Sequence, residues 1–242
     1  MDWPFLFDTF RELVQHVPLT LQLAFSSLGM GAVWGAVLAA MRLSHSGIAR
    51  RLGDLYLFLF RGTPLLIQMF LIYYGLGQFR SSLEAWGVWW FFRDPYWCAI
   101  LALTLNTAAY ASEIFRGGVL SVPYQSVEAA RACGMSGLLL VRRIIVPLAV
   151  RNALPAYSNE FILMIKATSL VSIITIMEIT GTAAKLISET FRTIEIFAVA
   201  GTIYLSINFL VSRAFMLIEW RLTREHRDVK AKRVRKAEVR YG

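Results

Sequence analysis

Residues 127–147 read VEAARACGMSGLLLVRRIIVP, and the segments on both sides of them are long apolar runs. The stretch holds one acid, three arginines and two glycines, and Arg151 follows it closely. Alanine, leucine and arginine are good helix formers, whereas glycine permits a bend. The stretch therefore predicts a polar, helix-forming segment outside the lipid, between two membrane spans.

Apolar residues make up 57% of the 242 residues, and the mean hydropathy is +0.54. An ordinary soluble domain is about 45–50% apolar. Runs of about 20 apolar residues are long enough to cross a bilayer. The candidate runs are residues 17–41, 55–79, 95–112, 152–177 and 196–220. We therefore expect an all-α integral membrane protein with five transmembrane helices.

The positions of lysine and arginine predict the orientation, because basic residues concentrate in loops inside the cell. An inside C-terminus and an outside N-terminus put most of them there. The expected domains are an interfacial helix outside the cell at 1–16, a transmembrane domain at 17–220 and a basic tail inside the cell at 221–242. The first of these lacks the positive n-region of a cleavable signal peptide. Its membrane anchors would be Trp3, Phe5, Phe7 and Phe10.

The formal net charge of +9 is compatible with nucleic acid or with anionic lipid as a partner. Much of the charge follows the last span, and no aromatic residue is interleaved with it before Tyr241. We therefore expect the tail to contact membrane lipid and not nucleic acid.

Sequence motifs of catalysis are missing. The chain has no GxxxxGK[ST] loop for ATP and no GxSxG nucleophile motif. Its three histidines lie in separate segments without metal-ligand spacing. Cys98 and Cys133 lie in a span and in a loop, so no disulfide is expected. We expect no catalytic residue, metal or cofactor on this chain, and an energy source on another chain.

Polar residues inside a span are energetically costly and therefore candidates for function. In the third span, Asn106, Tyr110 and Glu113 are spaced to share one helical face. They could line a polar cavity. Alternatively, Asn106 could join helices and Glu113 could pair with Arg116.

In the fourth span, Lys166 lies too deep to reach the interface easily. Asn159 and Ser169 lie close to the same face. The lysine could meet a substrate carboxylate in a cavity, or it could pair with Glu113 or Glu160.

In the second span, Pro64 removes a backbone donor and predicts a kink or a break. Thr63 and Gln68 offer polar groups beside it, and interrupted helices occur at transporter sites. The alternative is a packing kink, with Arg61 reaching back towards the interface.

In the first span, small residues predict close helix packing. They are Ser26, Ser27, Gly29, Gly31 and Gly35.

The opening stretch also contains the pattern EAA, three residues, Gly, nine residues, Ile, one residue, an apolar residue and Pro. This pattern resembles the cytoplasmic EAA loop of bacterial ATP-binding cassette (ABC) importer permeases. Its residues in this chain are Glu128, Ala129, Ala130, Gly134, Ile144, Val146 and Pro147.

Further blocks extend the resemblance over about residues 18–220. FRGTPLLIQMFLIYYGL, NTAAYASEIFRGG and IKATSLVSIITIMEITG resemble the polar amino acid subfamily. FFRDPYWCA, EAARACGM and MEITGTAAKLISETFRT resemble the M-type subunit of the histidine and opine permease branch. The chain departs from the family pattern where Gln125 and Ser126 replace Gly-Gln and where Ala167 replaces an acid.

The resemblance implies a type I ABC importer permease in the bacterial inner membrane, with a periplasmic N-terminus and a cytoplasmic C-terminus. The implied partners are a second permease subunit, either a Q-type paralogue or a second copy, an ATPase dimer that carries ATP and Mg²⁺, and a periplasmic binding protein. The EAA loop, residues 121–147, would seat short helices in a groove of the ATPase, with a bend at Gly134 and a return into the fourth span at Pro147. The expected coupling residues are Glu128, Ala129, Ala130, Arg131, Gly134, Ile144 and Pro147.

Two functions are compatible with the sequence. The first is ATP-driven import of an amino acid or an opine, in which Glu113 or Glu160 would suit a cationic side chain and Lys166, Asn159 or Thr168 a carboxylate. The second is ion-coupled secondary transport, which the lack of an internal repeat disfavours. The candidate substrate path comprises Thr63, Gln68, Asn106, Tyr110, Glu113, Asn159, Glu160, Lys166, Thr168 and Ser169.

Overall fold

The computed structural model describes the backbone of residues 2–241 and the side chains of residues 2–221. Residues 2–241 form helices and no β-strand, which confirms the all-α prediction. A π-helical turn, Leu71–Gly75, follows α4, a second, Val141–Ile145, precedes α10, and a 3₁₀ helix, Thr168–Ile174, follows α10. The α-helices are α1 (Trp3–Gln15), α2 (Val17–Leu43), α3 (Gly47–Gly62), α4 (Leu65–Phe70), α5 (Arg80–Ala85), α6 (Trp89–Phe92), α7 (Pro95–Leu120), α8 (Tyr124–Ala132), α9 (Gly137–Leu140), α10 (Val146–Ala167), α11 (Ile179–Thr190) and α12 (Thr193–Tyr241).

Three helical stretches of the described chain are long and apolar enough to cross a membrane. They are Trp3–Leu43, Pro95–Leu120 and Thr193–Arg221. Two further candidates are helix pairs bent at a short break, Gly47–Gly62 with Leu65–Gly75 at 101° and Gly137–Ile174 with Ile179–Thr190 at 49°. If each bent pair is one span, the count is the predicted five.

Helices α2 and α7 form the most extensive helix pair among the described residues. A Cβ atom on Gly31 would collide with the side chain of Thr107. One on Gly35 would lie 2.7 Å from the Cβ of Ala111 and 3.0 Å from the carbonyl oxygen of Ala108. By contrast, Gly29 has nothing within 4 Å of such an atom. Close packing at the small-residue stripe is therefore confirmed for Gly31 and Gly35 and is wrong for Gly29.

The chain changes direction at Pro64, which confirms the predicted break. Because the ring of a proline disfavours helical geometry in the residue before it, Thr63 is extended, with φ −118° and ψ 144°. Helix α4 begins directly after the proline. The second break follows the 3₁₀ helix, where Thr175 has a left-handed conformation with φ 70°.

The EAA segment forms two short helices joined at Gly134. The amide of Gly134 donates to the carbonyl of Arg131 at 2.9 Å, and that of Met135 donates to the carbonyl of Ala130 at 3.0 Å. These bonds make a Schellman motif, which needs a left-handed residue after the helix. Gly134 supplies it with φ 78°.

Helical structure resumes at Gly137, ten residues before the proline that was expected to mark the return into the fourth span. Pro147 lies in the first turn of α10, directly after the π-helical turn. A proline at this position cannot donate to the carbonyl four residues earlier, and a π turn accommodates such a missing bond. The helix therefore continues through Pro147.

Helix α1 packs against α12 and α11. Arg192 donates to the carboxylate of Asp2 at 2.9 Å, and its guanidinium carbon lies 4.4 Å from the ring centroid of Phe5. The hydrogen bond from Arg192 lowers the pKa of Asp2 below its ordinary value. The contact therefore stabilises the fold at pH values above the pKa that Asp2 has in the unfolded chain. This stabilisation is lost as the pH falls through the lowered pKa of the folded protein. On the outer face of α1, Trp3 and Phe7 are exposed.

Two alanine substitutions in α2 test the packing of α2 on α7. Gly35→Ala should destabilise the protein by about 1–3 kcal/mol, because it overpacks a tight contact. Gly29→Ala, the matched control, should be neutral or stabilising by up to about 1 kcal/mol, because alanine is the better helix former. The measurement is the thermal unfolding midpoint of the complex purified in detergent. A Gly35→Ala midpoint equal to that of Gly29→Ala would contradict the packing described.

Candidate functional site

A polar cluster repairs the break between α3 and α4. The side-chain nitrogen of Gln68 lies 2.9 Å from the carbonyl oxygen of Phe60, 3.1 Å from that of Thr63 and 2.8 Å from the Thr63 hydroxyl. Asn106 on α7 donates to the Gln68 side-chain oxygen at 3.0 Å and to the carbonyl of Phe60 at 3.3 Å. The last carbonyls of a helix have no amide partner within the helix, and lipid offers no water to replace it. The side chains of Gln68 and Asn106 supply the missing donors. Of the two sequence interpretations of Asn106, the structure shows the link between helices.

A charged cluster joins α2, α3 and α7. Arg42 donates to Asp54 at 2.7 Å and to Glu113 across a separation of 71 residues. Glu113 also accepts from Arg116 at 2.6 Å, which is the pairing that the sequence indicated. The carboxylate of Glu113 is therefore neutralised by two guanidinium groups.

An open cavity of about 570 Å³ lies beside this cluster. Tyr110 and Glu113 line it, so the polar face predicted on α7 is observed for these two residues, while Asn106 belongs to the repaired break. The guanidinium carbon of Arg61 lies 5.3 Å from the ring centroid of Tyr110. The lining residues are Arg42, Asp54, Leu57, Phe58, Arg61, Gly62, Tyr110 and Glu113.

Glu160 on α10 is a buried acid with 7% of its surface exposed. Its direct hydrogen-bond donor is a neutral group, the hydroxyl of Thr107, at 2.9 Å. No described ion pair within 4 Å includes Glu160. The arrangement leaves a buried carboxylate without a contacting cation.

The remaining candidates of the fourth span do not join the cavity. Asn159 and Lys166 are exposed, and no acid among the described side chains pairs with Lys166. The hydroxyls of Thr168 and Ser169 donate to the carbonyls three residues before them, each at 2.7 Å. The ion pair considered for Lys166 is thus absent from the described residues.

Glu178 is a buried residue that sequence reasoning did not single out. Its side chain has no exposed surface. It accepts from the amide of Gly181 at 2.9 Å, the hydroxyl of Tyr204 at 2.7 Å and the hydroxyl of Thr20 at 3.4 Å. These bonds cap α11 and tie it to α2 and α12. The available signal was an acid within the otherwise apolar block SIITIMEITG, at the start of a helix.

The EAA segment presents its polar residues outward. Glu128, Ala129, Arg131 and Pro147 are exposed, Ile144 is half-buried and Ala130 is buried. Leu138 on α9 is 81% exposed, which places a large apolar side chain beside the charges. Within residues 2–221, no group of three or more His, Cys, Asp or Glu side chains is arranged to hold a metal ion.

Residues 31–224 match a family described as the binding-protein-dependent transport system inner membrane component. The chain belongs to this family. It is thus an inner-membrane transport component, as the apolar spans and the EAA segment indicated.

Relatives within this family are similar over nearly the whole chain. The octopine transport system permease protein OccM of Rhizobium radiobacter is 55% identical over 227 residues, which is 94% of this chain and 92% of that protein. The nopaline transport system permease protein NocM of Agrobacterium fabrum is 55% identical over 220 residues, 91% of each chain. The histidine/lysine/arginine/ornithine permease protein HisM of Salmonella typhimurium is 40% identical over 219 residues, 90% of this chain and 93% of HisM.

Solved structures of transporters share the fold of this chain. A crystal structure of an amino acid ABC transporter with histidines matches with a TM-score of 0.81 and 32% identity, over 91% of this chain and 99% of that one. The MetNI methionine ABC transporter, in an inward-facing conformation, matches with a TM-score of 0.71 over 87% of this chain and 96% of that one. At 19% identity, the second match shows the shared fold alone.

Substitution of Glu178 tests its bridging role. Glu178→Ala should destabilise the complex by about 1–3 kcal/mol per donor left unpaired, because Gly181 and Tyr204 would lose their acceptor. Glu178→Gln keeps an acceptor oxygen and should cost less. Glu84→Ala, which breaks only the exposed pair with Arg80, should cost less than about 1 kcal/mol. Equal unfolding midpoints for the alanine variants at 178 and 84 would exclude a bridge at Glu178.

Proposed function

We propose that the chain is the permease subunit of an ATP-driven importer for an amino acid or an amino-acid-derived opine. The observation that carries the proposal is the likeness to an amino acid ABC transporter, with 32% identity and a TM-score of 0.81 over 91% of the chain. The names of the relatives narrow the substrate class to opines and basic amino acids.

The proposal includes the partners that such a permease needs. ATP and Mg²⁺ bind to an ATPase dimer, a periplasmic binding protein delivers substrate, and a second permease subunit, a Q-type paralogue or a second copy, completes the path. The N-terminus is periplasmic and the C-terminus cytoplasmic. In this orientation α1 lies at the periplasmic water interface of the inner membrane. The basic tail predicted at 221–242 lies, beyond Arg221, outside the described side chains, and its proposed partner is the anionic lipid of the cytoplasmic leaflet.

The EAA segment is the proposed contact with the ATPase. The exposed Glu128 and Arg131 offer charges, and the exposed Leu138 offers an apolar anchor. The Schellman motif at Gly134 fixes the angle between α8 and α9, so movement of the ATPase would be passed to α10 through a rigid joint. The exposed Ala129 and Pro147 complete the proposed coupling surface, whereas Ala130 is buried and Ile144 is half-buried.

Coupling can be tested in liposomes that contain the full complex. Gly134→Val forces a β-branched residue into a left-handed conformation, a strain of about 1–3 kcal/mol, and Glu128→Lys reverses the charge of the contact. Both should remove most of the ATP hydrolysis that a loaded binding protein stimulates. Glu84→Lys, an exposed charge reversal between α4 and α7, should leave it intact. Uptake that needs no ATPase and collapses with the proton gradient would establish secondary transport instead.

Glu160 is the proposed partner of a cationic substrate group. Of the two acids that the sequence offers for this role, Glu113 is already paired with Arg42 and Arg116. Glu160 is buried against a neutral hydroxyl, and a buried charge gains most from a cation that reaches it. Arginine, lysine, ornithine and the guanidinium of octopine all supply such a cation.

Neutralisation of Glu160 tests this role, with Glu84 as the control acid. Glu160→Gln keeps an acceptor for Thr107 but loses a charge-assisted bond of about 1.5–3 kcal/mol, so half-maximal arginine or octopine uptake should need at least tenfold more substrate. Glu84→Gln should leave the substrate concentration for half-maximal uptake unchanged. The measurement is radiolabelled uptake into proteoliposomes with the binding protein held at saturating concentration. Unchanged uptake by Glu160→Gln would rule out this role.

A further inference from the structure

Arg61 stands apart from the other cations of the cavity. It lies in the last turn of α3, one residue before that helix ends at Gly62, within a span, and its side chain is exposed. No ion pair among the described side chains includes it, whereas Arg42 and Arg116 each contact an acid. A charged group at membrane depth costs several kcal/mol unless it is paired or reached by water. Arg61 therefore calls for water or for an anion that the described chain does not supply.

The surroundings of Arg61 favour an anionic ligand. Arg42, Asp54, Glu113 and Arg116 are joined by direct ion pairs, whereas Arg61, which also lines the cavity, contacts no described acid within 4 Å. Its guanidinium lies against the ring of Tyr110. Stacking uses the flat face of a guanidinium and leaves the N–H groups at its edge to donate, and this edge matches a carboxylate with two parallel bonds.

We propose that Arg61, supported by Tyr110, is a carboxylate-binding subsite of the transport path. The inference rests on the proposed import of amino acids or opines, every one of which carries a carboxylate. It moves the carboxylate role from Lys166, Asn159 and Thr168, which do not line the cavity, to a residue that does.

Size and charge placement are consistent with a substrate of this class. The cavity volume of about 570 Å³ lies within the range of about 300–1,000 Å³ for small-molecule sites. The guanidinium of Arg61 places a cation at the cavity wall, where the carboxylate of such a substrate would meet it.

A binding experiment on the complete complex without its binding protein isolates this subsite, because the binding protein no longer filters the ligand. The probes are L-arginine and agmatine, which is arginine without its carboxylate. The wild-type complex should bind arginine at least about tenfold more tightly than agmatine, as the loss of a charge-assisted pair requires. In the Arg61→Gln complex, the affinity for arginine should fall to the affinity for agmatine, and the affinity for agmatine should not change. Arg61→Lys should restore part of the preference for arginine. Arg80→Gln, at an exposed arginine of α5 that pairs with Glu84, should retain all of it.

The possible failures are distinguishable. Equal binding of the two probes by the wild type, or loss of both probes alike in an Arg61→Gln complex that still assembles with its ATPase, overturns the carboxylate subsite and leaves the import function standing. If the Arg61→Gln complex does not assemble, the proposal is decided by two other results. These are the preference of the wild type for arginine over agmatine and the part of that preference that Arg61→Lys retains. Binding of neither probe by the wild type, with L-octopine also failing, overturns the proposed substrate class and the subsite with it.

Discussion

Backbone amides and carbonyls inside a bilayer have no water to bond, and this constraint shapes the chain around its two broken spans. At the first break, Gln68 and Asn106 bond the carbonyls that Pro64 leaves unpaired. At the second, Glu178 accepts from the amide of Gly181 in the first turn of α11. Asn106 at the first break lies on α7, and Glu178 at the second accepts from Thr20 on α2 and Tyr204 on α12, so each break also ties helices together. A bent span is stable in lipid only because these side chains bond the backbone groups that the break leaves without a partner.

The same constraint divides the polar residues of the spans into two groups. Residues that bond the backbone at a break, such as Gln68 and Asn106, are buried and hydrogen-bonded within the chain. Arg61 and Tyr110 instead face an open cavity, and Glu160 contacts one neutral hydroxyl. We propose that substrate contacts belong to the second group, because a group whose hydrogen-bonding capacity is already satisfied within the chain has little left to bind a passing substrate. Glu113 lines the cavity but is already paired with two arginines, so it belongs to the scaffold.

Sequence reasoning found what depends on local pattern. Apolar runs located the spans, Pro64 marked the first break, and the three-residue spacing of Glu113 and Arg116 indicated their pair. It did not find the bond of Arg42 to Glu113, because 71 residues separate them. It also missed Glu178, whose donors come from three helices, and the early start of the helix before Pro147, which depends on a π turn. Contacts between distant segments are set by packing, and a single sequence carries little signal for packing.

The division into repairing and path-facing residues can be measured most directly by water accessibility. Phe58 lines the cavity and is 75% exposed, whereas Leu205 on α12 is 71% exposed and lines no part of it. Single cysteines at these positions, with Cys98 and Cys133 replaced by serine, would be treated with a charged thiol reagent in permeabilised proteoliposomes. Rapid modification at 58 and protection by lipid at 205 is the expected result. Equal rates at the two positions would contradict a water-filled path along α3.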